Sequence, residues 1–195
     1  MSATIGPLED FPAQPWRNNR GMTREIAVRS SSTGLLWRIS LAQIDQDGPF
    51  SSFPGLTRHL ALASSGTIVL ENMEHRTVSV LSSLGDTVCF SGNDDIEGRC
   101  LGEKVRAFNL IARADVSAEL VAYHQITHFA KSEAIFLLPV HGDWKLSISP
   151  TILRSGMVAQ LLGHSTEITI TPLSEAAVLI AAVIPHLPPG IGSTL

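Results

Sequence analysis

The residues of this chain that could do chemistry come in short blocks pairing arginine with aromatic or amide side chains. "PWRNNRGMTREI" sets Trp16, Arg17, Asn18, Asn19 and Arg20 in one loop. "LLWRISL" puts Trp37 beside Arg38, while "DGPFSSFPGLTRHL" gathers Phe50, Ser51, Phe53 and Arg58. "RAFNLIAR" adds Phe108, Asn109 and Arg113. A guanidinium grips a carboxylate through two parallel hydrogen bonds. An amide side chain supplies a donor and an acceptor, and aromatic walls keep water off the bonds so formed. Together they suit a small acid carrying an amide-like group. Taken singly, strand aromatics are more often core and strand arginines more often surface charge. The clustering beside turns is what points to a pocket.

Other chemistries find less support. The seven histidines (His59, His75, His124, His128, His141, His164 and His186) include no His-x-His pair. Only His124 and His128 stand four apart, and on a strand that separates them by about 13 Å, too far for one ion. Neither a metal nor any other cofactor is expected. No Gly-x-Ser-x-Gly elbow occurs, and Ser51 and Ser52 read as turn-capping hydroxyls rather than nucleophiles. Cys89 and Cys100 are too widely spaced for a Cys-x-x-Cys pair and are expected to be reduced.

The net charge of -4 and the absence of a basic stripe argue against nucleic acid as a partner. The longest apolar run, "AAVLIAAVI" from Ala176 to Ile184, falls short of the roughly 20 residues of a membrane helix. The start, "MSATIGPLEDFPAQPW", lacks a basic stretch followed by an apolar one. A soluble cytoplasmic protein without membrane partners is expected.

What must position these side chains is a set of short strands. "LLWRISLAQI" alternates Trp37, Ile39 and Leu41 with Arg38, Ser40 and Ala42, the pattern of a half-buried strand. "RHLALASSGTIVLEN" has the form of a hairpin, and "RTVSVLSSLGDTVCFSG" repeats that form around Gly85-Asp86. "KVRAFNLIARAD" and "ELVAYHQIT" continue the series. In the second half "EAIFLLPVHGDWKLSI", "MVAQLLGHSTEITITPL" and "EAAVLIAAVIP" keep the same rhythm. No window shows the 3.6-residue period of a long amphipathic helix. "ATIGPLEDFPAQPW" reads as an irregular lead-in and "GIGSTL" as a frayed tail. The expectation is an all-β chain, compatible with two stacked barrels of the jelly-roll type sharing one core.

Three of these blocks, in order and spacing, resemble the signature of the HutD/Ves family. They are "PWRNNRGMTREI", "WRISLAQIDQDGPFSSFPGLTRHLAL" and "FSGNDDIEGRCLGEKVRAFNLIAR". Matching positions are Trp16, Asn18, Thr23 and Glu25; then Trp37, Arg38, Ser40, Phe50, Ser51, Phe53, Pro54, Gly55 and Arg58; then Phe108 and Asn109. The likeness covers residues 15–113, with 114–190 left as the remaining barrel strands of one unit spanning 1–195. It implies a bicupin without the metal-ligand set of enzyme cupins. It also implies a role in histidine utilisation, binding an intermediate such as N-formylglutamate or urocanate. The ligand-binding residues expected are Trp16, Asn18, Arg38, Phe50, Ser51, Phe53, Arg58, Phe108 and Asn109.

Three departures mark a diverged member. The glycine run is Asn19-Arg20-Gly21, the Asp before Phe-Asn is Ala107, and the Asp after Phe-x-Gly is Asn93. Two further readings stand beside binding. One is an isomerase or hydrolase using Glu25 or a histidine as general base. The other is an oligomerising regulatory protein, for which a homodimer is expected.

Overall fold

The computed structural model describes residues 2–102, 104–164 and 166–185. Among the described residues the only helical element is a 3-10 turn, Leu8–Asp10, and no helix is long and apolar enough to cross a membrane. The first strand is β1 (Ser2–Pro7). Then come β2 (Ala13–Pro15), β3 (Gly21–Ser31), β4 (Gly34–Ile44), β5 (Gly48–Pro49) and β6 (Leu56–Leu62). β7 (Thr67–Asn72), β8 (Thr77–Leu81), β9 (Thr87–Ser91), β10 (Ile96–Leu101) and β11 (Val105–Arg113) follow. The last group is β12 (Glu119–Tyr123), β13 (Thr127–Phe129), β14 (Ser132–His141), β15 (Trp144–Leu146), β16 (Ile152–Leu153), β17 (Met157–His164), β18 (Ile168–Pro172) and β19 (Val178–Ile184).

The chain forms two units. One is Phe11–Asp115; the other joins the segment through Asp10 to the chain from Val116 onward. The Phe11–Asp115 unit packs a six-stranded sheet, ordered β2-β3-β4-β11-β6-β9, against a four-stranded one, β5-β10-β7-β8. Its core joins Ile44, Leu60, Leu62, Val105 and Ala107 of the larger sheet to Ile68, Leu70, Leu81 and Ile96 of the smaller. The other unit pairs sheets β1-β17-β14-β19-β12 and β13-β18-β15-β16. Its hydrophobic core is built on Ile135, Leu137, Trp144, Leu161, Ile170 and Leu179.

All-β is therefore what the chain is, but the sheets are open rather than closed barrels. β8 ends one sheet and β9 ends the other without pairing. The turn between them is held instead by Asp86, whose carboxylate accepts the N–H groups of Ser82 and Ser83 at 2.9 and 2.8 Å. The two hairpins expected at 58–72 and 76–92 also give way. β6 and β7 pair with other strands in different sheets, and so do β8 and β9. Period-two alternation tells which side chains face a core. It does not tell whether the next strand lies beside its predecessor or across that core.

The lead-in is not irregular either. β1 runs antiparallel to β17 from Ser2↔Leu162 to Pro7↔Met157, and β2 borders β3. β4 is covered on both faces: Ser40 and Ala42 are as buried as Trp37 and Ile39. The expected frayed tail and His186 fall outside the described residues.

Candidate functional site

Register decides which polar side chains meet. β11 lies between β4 and β6, so Arg58, Ile111 and Arg38 form one row across three strands. Phe90 of β9 extends that row beyond Arg58. Two residues along, Leu60, Asn109, Ser40 and Glu25 form the next row on the same face. With neighbouring strands about 4.8 Å apart, the Cα atoms of the two arginines lie roughly 10 Å from each other. Among the described residues five polar side chains are buried, and Ser40, Arg58 and Asn109 are three of them. This inner face is where the unit concentrates its buried polarity.

Arg58 is the centre of the arrangement. It is 7% exposed, and its guanidinium carbon lies 5.2, 5.3 and 5.0 Å from the ring centroids of Phe50, Phe53 and Phe90. Stacking of this kind favours the cation. Its Nη1 donates to the Ser51 carbonyl at 2.9 Å, but the buried Nε has no hydrogen-bond partner. Among the described residues no carboxylate pairs with it. Burial, and secondarily the neighbouring Arg38 charge, lower its pKa to about 10. A cation in this condition lacks a counter-ion.

Arg38 differs. Its Nε lies 2.8 Å from Glu25 Oε2, close enough for charge pairing though not aligned as a hydrogen bond, and both side chains are partly exposed. Glu25, a candidate general base from its position in the sequence, is thus engaged with a cation.

The loop between β4 and β6 carries two of the three rings and is held by backbone hydrogen bonds and by close contacts at glycines. Phe50 N–H donates to the Ile96 carbonyl at 2.8 Å and Phe53 N–H to the Gly92 carbonyl at 2.7 Å. Phe50 lies against Gly98, where a Cβ would stand 2.3 Å from its ring. A Cβ on Gly92 would meet the Phe53 carbonyl oxygen at 2.1 Å. Gly55 takes φ 78°, and its N–H donates to Asn93 Oδ1 at 3.2 Å. The departure at Asn93 therefore keeps the acceptor that an Asp would provide and drops only the charge.

The other departures also find places. Asn19 adopts φ 55°, the left-handed region that Asn tolerates better than most residues. Ala107 stands between Ala42 and Leu62 on the inner face, fully buried and with no side-chain acceptor. Trp16 packs against the core, and its Nε1 donates to Thr23 Oγ1 at 2.8 Å.

Not every expected site residue joins the cluster. Asn18 is exposed, its Oδ1 accepting Arg20 N–H at 3.1 Å in a local turn. Phe108 is fully buried, but alternation places it on the face of β11 opposite Asn109. Asn109 Nδ2 donates to the Ala107 carbonyl at 3.0 Å. Ser51 contributes its carbonyl rather than its hydroxyl. Conversely, Phe90, Ser40 and Glu25 join the cluster without having been among the expected binding residues. Their signal was parity: Phe90 shares a face with Val88, and Ser40 shares one with Arg38.

A cleft of about 290 Å³ is lined by β7, β8, β9 and β10, with Leu70, Val88, Phe90 and Ile96 on its apolar side and Asn72, His75 and Asp94 among its polar groups. Phe90 is thus both part of the Arg58 cage and part of this opening. A second cleft of about 340 Å³ is lined by Gln43 of β4, Arg106 of β11, Ser64 and Ser65 between β6 and β7, and Lys104 between β10 and β11. Cys89 and Cys100 are free thiols, and burial pushes Cys100 up to about 11. Among the described residues no group of three His, Cys, Asp or Glu side chains is placed to hold a metal.

The family model for HutD matches residues 8–177. The chain belongs to the HutD family. An uncharacterised 21.2 kDa protein of the hutC 3' region of Pseudomonas putida is 33% identical over 108 residues, 53% of this chain and 54% of that protein. The match thus spans about half the length of that relative. Protein Ves of Citrobacter koseri is 29% identical over 143 residues, covering 71% of this chain and 73% of its own. Among solved structures, HutD from Pseudomonas fluorescens, in a formate condition, superposes with a TM-score of 0.80 at 24% identity, covering 95% of this chain and 100% of the other. A bacterial pirin of Escherichia coli and an oxalate decarboxylase of Lactobacillus farciminis, 9% and 8% identical, share the fold with TM-scores of 0.60 and 0.62. The likeness to these solved structures shows a shared fold. Within this HutD-family chain, the inner face of the Phe11–Asp115 unit is the candidate site.

Proposed function

We propose that this HutD-family protein is a bicupin of two cupin-like halves that binds a small carboxylate, without metal, and so moderates histidine utilisation. N-formylglutamate and urocanate are the ligands of choice. The observation that carries the reading is Arg58: a buried cation stacked by three rings, with an unpaired Nε and no acidic partner among the described residues. A ligand carboxylate would supply the missing counter-charge, and in a water-poor setting a charge-assisted hydrogen bond to it is strong. Asn109 and Ser40 lie one row away to meet further polar groups. The cleft bordered by Phe90 offers room for the body of a small molecule.

Calorimetric titration of the intact chain with N-formylglutamate and urocanate tests the proposal. Saturable binding of at least one is expected, and it should disappear in Arg58→Met while the folded β spectrum persists. Absence of heat for both ligands, or unaltered binding by that variant, refutes it.

A further inference from the structure

The two arginines of the inner face are not equivalent, and the difference has a direct consequence for what the site can hold. Arg38 has a carboxylate of its own chain, Glu25, at 2.8 Å. Arg58 has none among the described residues, and its Nε is buried without a partner. Two cations and one anion leave a single positive charge on the face, and that charge sits at the buried arginine.

Resting on the carboxylate-site reading above, we propose that Glu25 is a specificity-determining residue. By occupying Arg38 it leaves room for one ligand carboxylate and selects monocarboxylates over dicarboxylates of the same skeleton. The register makes the occupation structural rather than incidental. Glu25 pairs with Ser40 across β3 and β4, on the same face as Arg38 and two residues along from it. A residue is skipped in the ladder between Glu25 and Ala27, so Glu25 lies next to a bulge. A bulge re-aims the side chains beside it and is a feature of the backbone, not of a rotamer.

An incoming second carboxylate would have to displace Glu25 from Arg38. Because Glu25 is tethered, it competes at the high effective concentration of an intramolecular partner. Once displaced it remains beside the ligand, so that three carboxylates would share two guanidinium groups and like charges would repel. A neutral amide or an imidazole in the same position meets neither obstacle. The ligand class favoured is therefore a monocarboxylate whose other end is an uncharged hydrogen-bonding group. That description fits urocanate better than N-formylglutamate.

N-formylglutamate and N-formylglutamine provide a matched test, since they differ only in whether the side-chain end is a carboxylate or an amide. Titrated into the intact wild-type protein, N-formylglutamine should bind more tightly by about tenfold or more. In Glu25→Gln the dicarboxylate should gain about tenfold or more while the amide changes by less than about threefold, closing or reversing the ratio. Equal binding of the two compounds to the wild type, or a ratio unmoved in Glu25→Gln, overturns this proposal and leaves the carboxylate site standing. If neither compound nor urocanate binds, the carboxylate site falls and this proposal with it. Equal binding by the wild type overturns the proposal even where the variant is too unstable to purify.

Discussion

A guanidinium buried among three phenyl rings without a carboxylate is a liability to the empty protein. Replacing buried charge by an apolar group of similar length is often neutral or stabilising. Arg58→Met keeps the stem that packs against Phe50, Phe53 and Phe90 and removes the charge. Its melting temperature should equal or exceed that of the wild type by calorimetry, while ligand binding is lost; a fall in both would mark Arg58 as purely structural. The pH dependence follows from the same burial. Folding lowers the Arg58 pKa to about 10, chiefly through burial. The cation is therefore the form that folding disfavours, and its cost is present below about 10 and relieved as pH rises through that value. Carboxylate binding needs the cation, so affinity should stay level through neutral pH and fall as pH passes about 10. An affinity unchanged up to the highest pH at which the protein stays folded would rule Arg58 out as the anchor. Phe50, Phe53 and Arg58 could be grouped from sequence because nine consecutive positions contain them. Phe90 could not, since only the β6–β9 register brings it to Arg58.

At the scale of elements the site depends on one constrained loop seated on β10. Gly98→Ala would drive a methyl group into the Phe50 ring, against which an ideal Cβ stands at 2.3 Å. Overpacking of this kind costs about 1–3 kcal/mol. The expected result is a lower melting temperature together with weaker ligand binding, because Phe50 leaves the cage. At Gly55 an added Cβ would meet only open space, so the same substitution there should cost about 1 kcal/mol from its left-handed φ alone and spare binding. Strand positions were readable from alternation, as β4, β6 and β11 show. Their partners were not. Leu60 and Leu62 alternate as a hairpin strand would, yet β7 lies across the core from them, in the other sheet. Adjacent residues teach the same lesson at the site: Phe108 and Asn109 must face opposite ways, but which way is inward depends on strands 40 and more residues distant.

On the scale of the whole molecule the two units divide their labour by polarity. The one around Trp144 and Leu179 buries a single polar side chain among the described residues, Ser132; the other buries Arg58, Asn109, Ser40 and Asn72. The all-β class was legible in turn chemistry and strand composition. The assignment of the N-terminal segment to the later unit was not, because nothing in "SATIGP" specifies its distant partner. That partner, β17, would become an edge strand if β1 were removed, and exposed edges invite pairing with other chains. Deleting residues 1–7 should therefore lower the thermal stability of the unit containing Trp144 and increase light scattering on heating. Unchanged scattering and melting would show that β1 is dispensable.

Pairing β1 with β17 also imposes an order on biosynthesis. Pro7 and Met157 are register partners separated by the whole of the other unit. At about 5–20 residues per second, ribosomes need roughly 8–30 s to make the intervening chain. During that interval Phe11–Asp115 can complete its sheets and enclose the arginine cage, while β1 remains a strand without a sheet. The arginine cage is thus the earlier product of translation, and the closing of β1 onto β17 is among its last events.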